Sequence, residues 1–295
     1  MAVLDETPLS ETPVGLFGRF SRGRTAHPSR PRLYIGATIL MVLVMCSVLA
    51  PVITSQSPDA QNPNLANHGP IAGHIFGTDI LGRDQFSRAL YGGRLTFIVV
   101  ACAVLVAASI GIALGLVTGY RRGWLDSVVM RVMDGLLSFP SLILAMTIAF
   151  VLGPSEGTVI VALSVIQIPA FARVARSQAL SLSRAEFVEA ARACGTRTPV
   201  ILVRHLLGNM TDVLLVQLSI VASQTILTEA SLSFLGLGVP PPAPSWGGML
   251  HDGYPYLQIN PSASLIPGGI IFLAVLGFNL LADGLRDVFD PRSAS

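Results

Sequence analysis

Six long apolar stretches constrain this chain more than any other feature of its sequence. A helix of roughly 20 apolar residues crosses the hydrocarbon core of a bilayer, and lipid offers backbone N–H and C=O groups no partner outside a helix or closed barrel. Only 12% of the residues are charged, against about 25% in soluble domains. These features exclude a soluble enzyme and a disordered chain, and predict an all-α integral membrane protein. The six predicted transmembrane helices are Leu33–Thr54, Leu95–Thr118, Val132–Leu152, Thr158–Ala172, Val213–Leu237 and Leu265–Ala282.

Arginine placement predicts how these helices are oriented. Among the segments between them, only Arg83, Arg88 and Arg94 fall on one side, and all other arginines fall on the side that holds the N-terminus. By the positive-inside rule that side is cytoplasmic, so both termini are expected in the cytoplasm. The expected segments are a cytoplasmic tail (1–32), the first transmembrane helix (33–54), an extracytoplasmic loop (55–93), a five-helix core (94–285) with a cytoplasmic loop (174–212), and a cytoplasmic C-terminal tail (286–295).

The residue counts also exclude several chemistries. The chain has no lysine, so it holds neither a P-loop nor a lysine Schiff base. Any ATP that drives this protein is therefore expected to bind to another chain. Two of the three cysteines lie in apolar runs, which disfavours a disulfide framework or a zinc site. His68 and His74 lack further clustered ligands, so we expect no metal site. The sequence contains no basic soluble domain, so we expect no nucleic-acid binding.

Polar residues and prolines interrupt the apolar stretches. Polar side chains at membrane depth face the bundle interior or a water-filled path, so they either line a translocation pathway or form interhelical hydrogen bonds, and the sequence leaves both interpretations open. Pro140 and Pro169 are expected to bend their helices. The candidate pathway residues are Gln167, Gln217, Gln224, Glu229 and Asn279.

Three glycines share one face of the second predicted helix. Gly111, Gly115 and Gly119 follow one another at four-residue intervals, which allows a neighbouring helix to approach closely. The neighbour could belong to this chain or to a partner subunit.

The loop after the fourth predicted helix has the signals of two short helices. Ser183 and Glu186 have the spacing of a capping box, and Gly195 suits the position after a helix end. Thr198 could cap a second helix with Pro199 in its first turn. The expected apolar face consists of Phe187, Val188, Ala191 and Cys194. A structured, polar loop of this kind indicates a protein-docking surface, although a helical hairpin lying on lipid is the alternative.

At this point the sequence resembles a known family. Glu189-Ala190-Ala191-x-x-x-Gly195 is similar to the E-A-A-x-x-x-G loop of permease subunits of bacterial ABC importers. That family usually continues to an I-x-L-P-like sequence, whereas Leu206-Leu207-Gly208-Asn209 stands here. Further segments resemble the dipeptide/oligopeptide/nickel group, and specifically its second, "C-type" permease. These segments begin at Phe76 (F-G-T-D-I-L-G-R-D), Met133 (M-D-G-L-L-S-F-P), Ser231 (S-L-S-F-L-G-L-G), Ser245 (S-W-G-G-M) and Asn279 (N-L-L-A-D-G-L-R-D).

The resemblance implies a type I ABC importer permease fold and a multi-chain assembly in a bacterial inner membrane. The implied partners are a second homologous permease, two cytoplasmic ATPase domains that bind ATP and magnesium, and an extracytoplasmic substrate-binding protein. This chain itself would bind no cofactor and catalyse no covalent step. The implied coupling residues are Glu186, Glu189, Ala190, Ala191, Arg192, Gly195 and Thr196. The implied outer-loop motif consists of Gly77, Thr78, Asp79, Gly82, Arg83 and Asp84.

The implied function is to couple ATP hydrolysis by the partners to peptide import. ATPase closure would move the loop around Glu189 as a rigid body and change the side to which the pathway opens. Import of a nickel chelate or glutathione by the same kind of permease is an alternative. A self-sufficient secondary transporter is less well supported, because Glu229 alone suggests an ion site and such a transporter does not need the structured loop.

Overall fold

The computed structural model describes residues 30–289, so most of the predicted N-terminal tail and the residues from 290 onward lie outside the described part. Within that part the chain is helical, and its only β-type pairs are two isolated bridges. Short 3-10 turns occupy Pro63–Leu65, Leu207–Met210 and Tyr254–Tyr256, and a π-helical turn occupies Ile201–Leu206. The α-helices are α1 Arg30–Val48, α2 Ala50–Ile53, α3 Gln85–Arg121, α4 Trp124–Leu137, α5 Ser141–Leu152, α6 Glu156–Leu182, α7 Glu186–Ala193, α8 Thr198–Val200, α9 Thr211–Phe234, α10 Trp246–Gly253 and α11 Ser262–Phe289.

Five to six apolar helices could cross a membrane, depending on how α4 and α5 are counted. These two helices meet at 90°, so the bend expected at Pro140 is confirmed, and it takes the form of a complete break between α4 and α5. Pro140 precedes α5 directly. Because proline lacks an N–H and disfavours helical geometry in the residue before it, α4 ends before the proline and α5 begins after it. In contrast, α6 continues through Pro169.

Two helices extend well beyond the predicted apolar stretches. Helix α3 begins at Gln85 because the Asp84 carboxylate accepts a hydrogen bond from the backbone N–H of Ser87 at 2.7 Å. Its 37 residues correspond to a length of about 55 Å. Helix α6 likewise runs on to Leu182. Hydropathy marks only the part of a helix that lies in lipid, so the polar ends were missed.

Helices α3 and α6 pack along each other through the glycine face. A Cβ atom on Gly111 would lie 2.7 Å from the carbonyl oxygen of Ile168, and one on Gly119 would lie 2.7 Å from the Cβ of Ala179. A Cβ on Gly115 would overlap the carbonyl oxygen of Ala172. The glycine face therefore meets a helix of this chain.

Helices α1 and α11 form a second close pair. Gly284 of α11 lies against Leu33 of α1, and Arg32 forms a 3.8 Å ion pair with Asp287. The start of α1 and the end of α11 thus lie together. Arg286 and Phe289 of α11 share a cleft with the start of α9, which places both ends of the described chain near α7. We call this end of the bundle the α7 end.

Candidate coupling and translocation site

Helix α7 begins at Glu186, but not through the expected capping box. Ala185 is its N-cap and provides no side-chain hydrogen bond. Ser183 instead ends α6, and its hydroxyl accepts a hydrogen bond from Nη2 of Arg122 at 3.2 Å. The capping-box prediction is therefore wrong because the serine belongs to the preceding helix.

The other end of α7 is as the sequence predicts. Gly195 follows the C-cap with φ of +74°, a conformation that glycine adopts without steric cost. Its N–H donates to the carbonyl of Arg192 at 2.9 Å, and the N–H of Thr196 donates to the carbonyl of Ala191 at 3.0 Å. These two bonds form a Schellman motif, which reverses the chain tightly after α7.

One side chain anchors α7 to the bundle. Val188 is fully buried, and Ala191 packs half-buried beside it. Phe187 is 39% exposed and Cys194 is exposed, so half of the expected apolar face points outward. The anchor lies in a cluster that joins α3, α6 and α9, formed by Leu116, Ala179, Val188, Ile201, Leu206, Met210 and Leu214. Displacement of α7 would therefore transmit force to three long helices at once.

The expected second short helix is not separate. Thr198 is the first residue of α8 and not its cap, while Pro199 lies in the first turn as expected. The chain then stays helical through the π and 3-10 turns into α9 and can be followed as one helix to Phe234. Helix α7 is thus joined to α9 by the tight turn at 194–197, followed by continuous, locally distorted helix.

Tyr120, at the α7 end of α3, also holds α7 and was missed by the sequence analysis. The Arg192 guanidinium carbon lies 4.8 Å from the centre of the Tyr120 ring, and Nε of Arg192 donates to the tyrosine hydroxyl at 3.1 Å. These two residues are 72 positions apart, and no local pattern signals such a contact.

The expected coupling residues lie together on this element. Ala191 and Thr196 are half-buried, whereas the remaining five are exposed. The exposed five are Glu186, Glu189, Ala190, Arg192 and Gly195. They form a compact polar surface with one aromatic side chain, Phe187, at its edge.

The five candidate pathway residues do not converge. Gln167 is buried and its Nε2 donates to the hydroxyl of Thr225 at 3.2 Å. Glu229 is buried and its Oε1 accepts from the hydroxyl of Ser233 at 2.8 Å. Both therefore make contacts inside the bundle.

The other three candidates lie nearer the surface of the chain. Gln224 of α9 and Asn279 of α11 are exposed, and Gln217 is half-buried in a cleft of about 300 Å³ near the α7 end. Gln217 and Gln224 lie two helical turns apart, on nearly the same side of α9. This side is what α9 presents to the surroundings of the chain.

At the opposite end of the bundle, residues 55–88 and 245–260 form a folded layer that we call the cap. Asp79 is its centre. One of its carboxylate oxygens accepts from the backbone N–H groups of Leu81 and Arg83, both at 2.9 Å. The other accepts from Nε of Arg83 at 2.6 Å and lies 3.5 Å from Nε of Arg88. A buried carboxylate thus pairs with two buried guanidinium groups.

Long-range contacts join the two parts of the cap. Nη2 of Arg83 donates to Asp252 at 3.2 Å. The Asn260 amide donates to the carbonyls of Thr78 at 3.0 Å and His68 at 3.1 Å. Gly82 has φ of +71°, and a Cβ there would overlap the backbone of Asn62. The expected outer-loop motif therefore has a structural role in holding the cap together.

Residues 30–289 contain no group of three or more His, Cys, Asp or Glu side chains placed to hold an ion. His74 instead lies 2.9 Å from the Asp84 carboxylate that caps α3.

The bundle, with its five to six apolar helices, has the architecture of a multi-pass membrane protein. A family model described as "Binding-protein-dependent transport system inner membrane component" matches residues 111–295. The chain belongs to this family, whose members are transport components and not enzymes.

Relatives are similar in sequence to this protein over most of its length. A dipeptide transport system permease protein from Alkalihalophilus pseudofirmus is 41% identical over 88% of this chain and 86% of its own length. A glutathione transport system permease protein from Pectobacterium atrosepticum is 43% identical over 78% of this chain and 76% of its own. A putative peptide transport system permease protein from Brucella suis is 41% identical over 88% and 87%.

A solved structure shares the fold. A chain of the MetNI methionine ABC transporter, solved in inward facing conformations, superposes with a TM-score of 0.57 at 20% identity, covering 68% of this chain and 96% of that one. At this identity the likeness concerns the fold alone.

Proposed function

We propose that this chain is one of two permease subunits in an ABC importer for short peptides, in a bacterial inner membrane. Six spans cross the bilayer, with the α4–α5 pair counted as one, and the α7 end and both termini lie in the cytoplasm. The strong bias of arginines toward the α7 end supports this orientation. The 90° break requires cover by protein or water, because lipid cannot satisfy irregular backbone.

The observation that carries the proposal is the way α7 packs against the bundle. Its outer surface is polar and exposed, while Val188 sits in the cluster shared by α3, α6 and α9. A partner ATPase that binds ATP and magnesium docks on this surface, and the aromatic ring of Phe187 inserts into the contact as its anchor. When the ATPase domains close, α7 moves as a body and shifts the three long helices, which changes the side to which the pathway opens.

The other surfaces of the chain suggest where the remaining partners bind. A second permease faces the exposed side of α9, where Gln224 and the 56%-exposed Leu227 lie, and the pathway runs between the two chains. A substrate-binding protein delivers the ligand to the cap. The proteins named for dipeptide, peptide and glutathione transport support short peptides as the substrate class, and glutathione is the second candidate because one of these relatives is named for it.

Cross-linking tests the docking. Cys194 lies beside the coupling surface and is exposed, so a thiol–amine cross-linker should join this chain to its ATPase in membranes. Cys194→Ser should abolish the product, since Cys46 and Cys102 lie within helices α1 and α3. Purification should also recover a stoichiometric ATPase, and proteoliposomes should take up dipeptide only with ATP inside the compartment that α7 faces. Ion-driven uptake without any ATPase would instead establish a secondary transporter.

A further inference from the structure

Between the cap and the adjoining ends of α5 and α9 lies a cavity of about 470 Å³. We call it the arginine cavity, after Arg83 and Arg88 in its wall. Its volume falls in the range of small-molecule sites, about 300–1,000 Å³. Three sequence motifs meet here, contributing Arg83, Ser233 and Ser245 respectively. The coupling role of α7 uses none of these groups.

The buried charges around the cavity are matched within the chain. Arg83, Arg88 and Asp252 line it, Asp79 pairs with both guanidinium groups, and Asp59 lies 3.8 Å from Nη1 of Arg88. What the wall offers a ligand is therefore hydrogen-bond donors on two fixed guanidinium groups, and not an excess of positive charge.

The two guanidinium groups have hydrogen-bonding capacity to spare. Arg83 uses Nε and Nη2 on Asp79 and Asp252, and Arg88 uses Nη1 on the carbonyl of Pro58 and places Nε near Asp79. Each guanidinium has five N–H donors, and no described residue accepts from Nη1 of Arg83 or Nη2 of Arg88. Their side chains are only 6% and 5% exposed, so the donors are held in place before any ligand arrives.

Apart from Ser233, Ser245 and His251, the rest of the wall is apolar. Val239, Pro240, Pro241 and Ala243 form a loop along the cavity, with a surface suited to an apolar side chain. Arginine pairs with carboxylates through parallel, charge-assisted hydrogen bonds. We propose that the arginine cavity binds the α-carboxylate of a short peptide, with the peptide side chain against the Val239–Ala243 loop. This inference rests on the proposed function, since it assigns a site for the peptide before it enters the pathway.

The test uses the complete transporter in lipid nanodiscs, without its binding protein, and radiolabelled dialanine in equilibrium dialysis. Dialanine should bind, and dialanine amide should compete at least about tenfold more weakly, because it loses a charge-assisted pair. Inorganic phosphate should not compete. Equal competition by acid and amide, displacement by phosphate, or no dialanine binding would each overturn the proposal.

A cavity-filling pair of variants locates the binding. Ala243→Trp fills the cavity without removing a buried charge and should weaken dialanine binding at least about tenfold. Gln258→Trp, at an exposed cap position outside the cavity wall, should bind as the wild type does. If Ala243→Trp does not assemble, Val239→Trp serves in its place. Unchanged binding in an assembled filling variant would sink the proposal.

The proposed function has a separate readout in the same preparation. ATP-driven uptake by the wild-type complex with its binding protein tests transport itself, and loss of that uptake would refute the function whatever the cavity binds. Normal uptake together with absent dialanine binding would refute the cavity site alone.

Discussion

The cap and the α7 element lie at opposite ends of the same long helix, α3, and they are built in opposite ways. The cap buries its charges and pairs them within the chain around Asp79, and Asn260 joins its two segments by hydrogen bonds. The α7 element buries one valine and leaves its charged residues exposed. The difference shows that the fold of the cap is held by contacts within this chain, whereas α7 keeps a charged surface open, as docking of the proposed ATPase requires.

The largest expected effect is a loss of stability in the cap. Asp79→Ala leaves two buried guanidinium groups without their shared carboxylate, which should cost about 3–5 kcal/mol. Thermal unfolding in detergent, followed by the fluorescence of the buried Trp246, measures this loss. Asp134→Ala is the matched control, because its pair with Arg173 is more than half exposed and should contribute about 0–1 kcal/mol. Equal melting of the two variants would contradict the contrast between the ends.

The second effect loosens the anchor of α7. Val188→Ala removes two methyl groups from a fully buried site, which should cost about 2 kcal/mol. Amide hydrogen exchange should accelerate in α7 while exchange in the cap stays unchanged. Phe187→Ala, at the exposed edge, should leave exchange as it is and reduce ATPase binding. Faster exchange at both ends after Val188→Ala would mean that the two regions are not independent.

A third change acts on the turn after α7. Gly195→Val places a β-branched residue at φ of +74°, which should cost about 1–2 kcal/mol. No atom lies within 4 Å of the added Cβ, so the effect is conformational and not a clash. We expect insertion and ATP hydrolysis to persist while peptide uptake falls about tenfold or more. Gly195→Asn should restore uptake, because asparagine tolerates this conformation; normal uptake in the valine variant would count against coupling through α7.

The smallest effect concerns the contact between Tyr120 and Arg192. Tyr120→Leu keeps an apolar side chain but removes the ring and the hydroxyl, and should cost about 0.5–1 kcal/mol. The number of ATP molecules hydrolysed per imported peptide should rise, since α7 would follow α3 less closely. Tyr120→Phe retains the ring and should give an intermediate ratio. An unchanged ratio in the leucine variant would show that Val188 alone transmits the motion.

The sequence anticipated local features of both ends better than their contacts. The sequence predicts the role of Gly195 correctly because a glycine after a helical pattern is a local backbone signal. It does not predict the role of Ser183, because the capping-box pattern matches any serine three residues before a glutamate, including one that ends the preceding helix. Helical periodicity predicts that Phe187 and Cys194 are buried, but an eight-residue helix contacts the bundle along only one edge.

Most of the contacts that hold the cap together could not be predicted from the sequence. The G-T-D-x-x-G-R-D motif was recognised, yet its role depends on Asp252 and Asn260, which lie 169 residues beyond Arg83 and 182 beyond Thr78. The same holds for Tyr120 and Arg192. Which of the polar residues in the apolar helices face the bundle interior also depends on how each helix is rotated, as the buried Gln167 and the exposed Gln224 show.

The sequence alone determined that this protein is a helical membrane bundle, where its apolar helices lie, and which short segment forms the turn after α7. Hydrophobicity, charge bias and glycine conformation are properties of neighbouring residues, so the order of residues is sufficient to reveal them. Only the tertiary structure decided the right-angled break at Pro140, the partners of the glycine face, the charge network of the cap and the anchoring of α7. Each of these depends on which distant side chains meet, and that is set by the packing of whole helices.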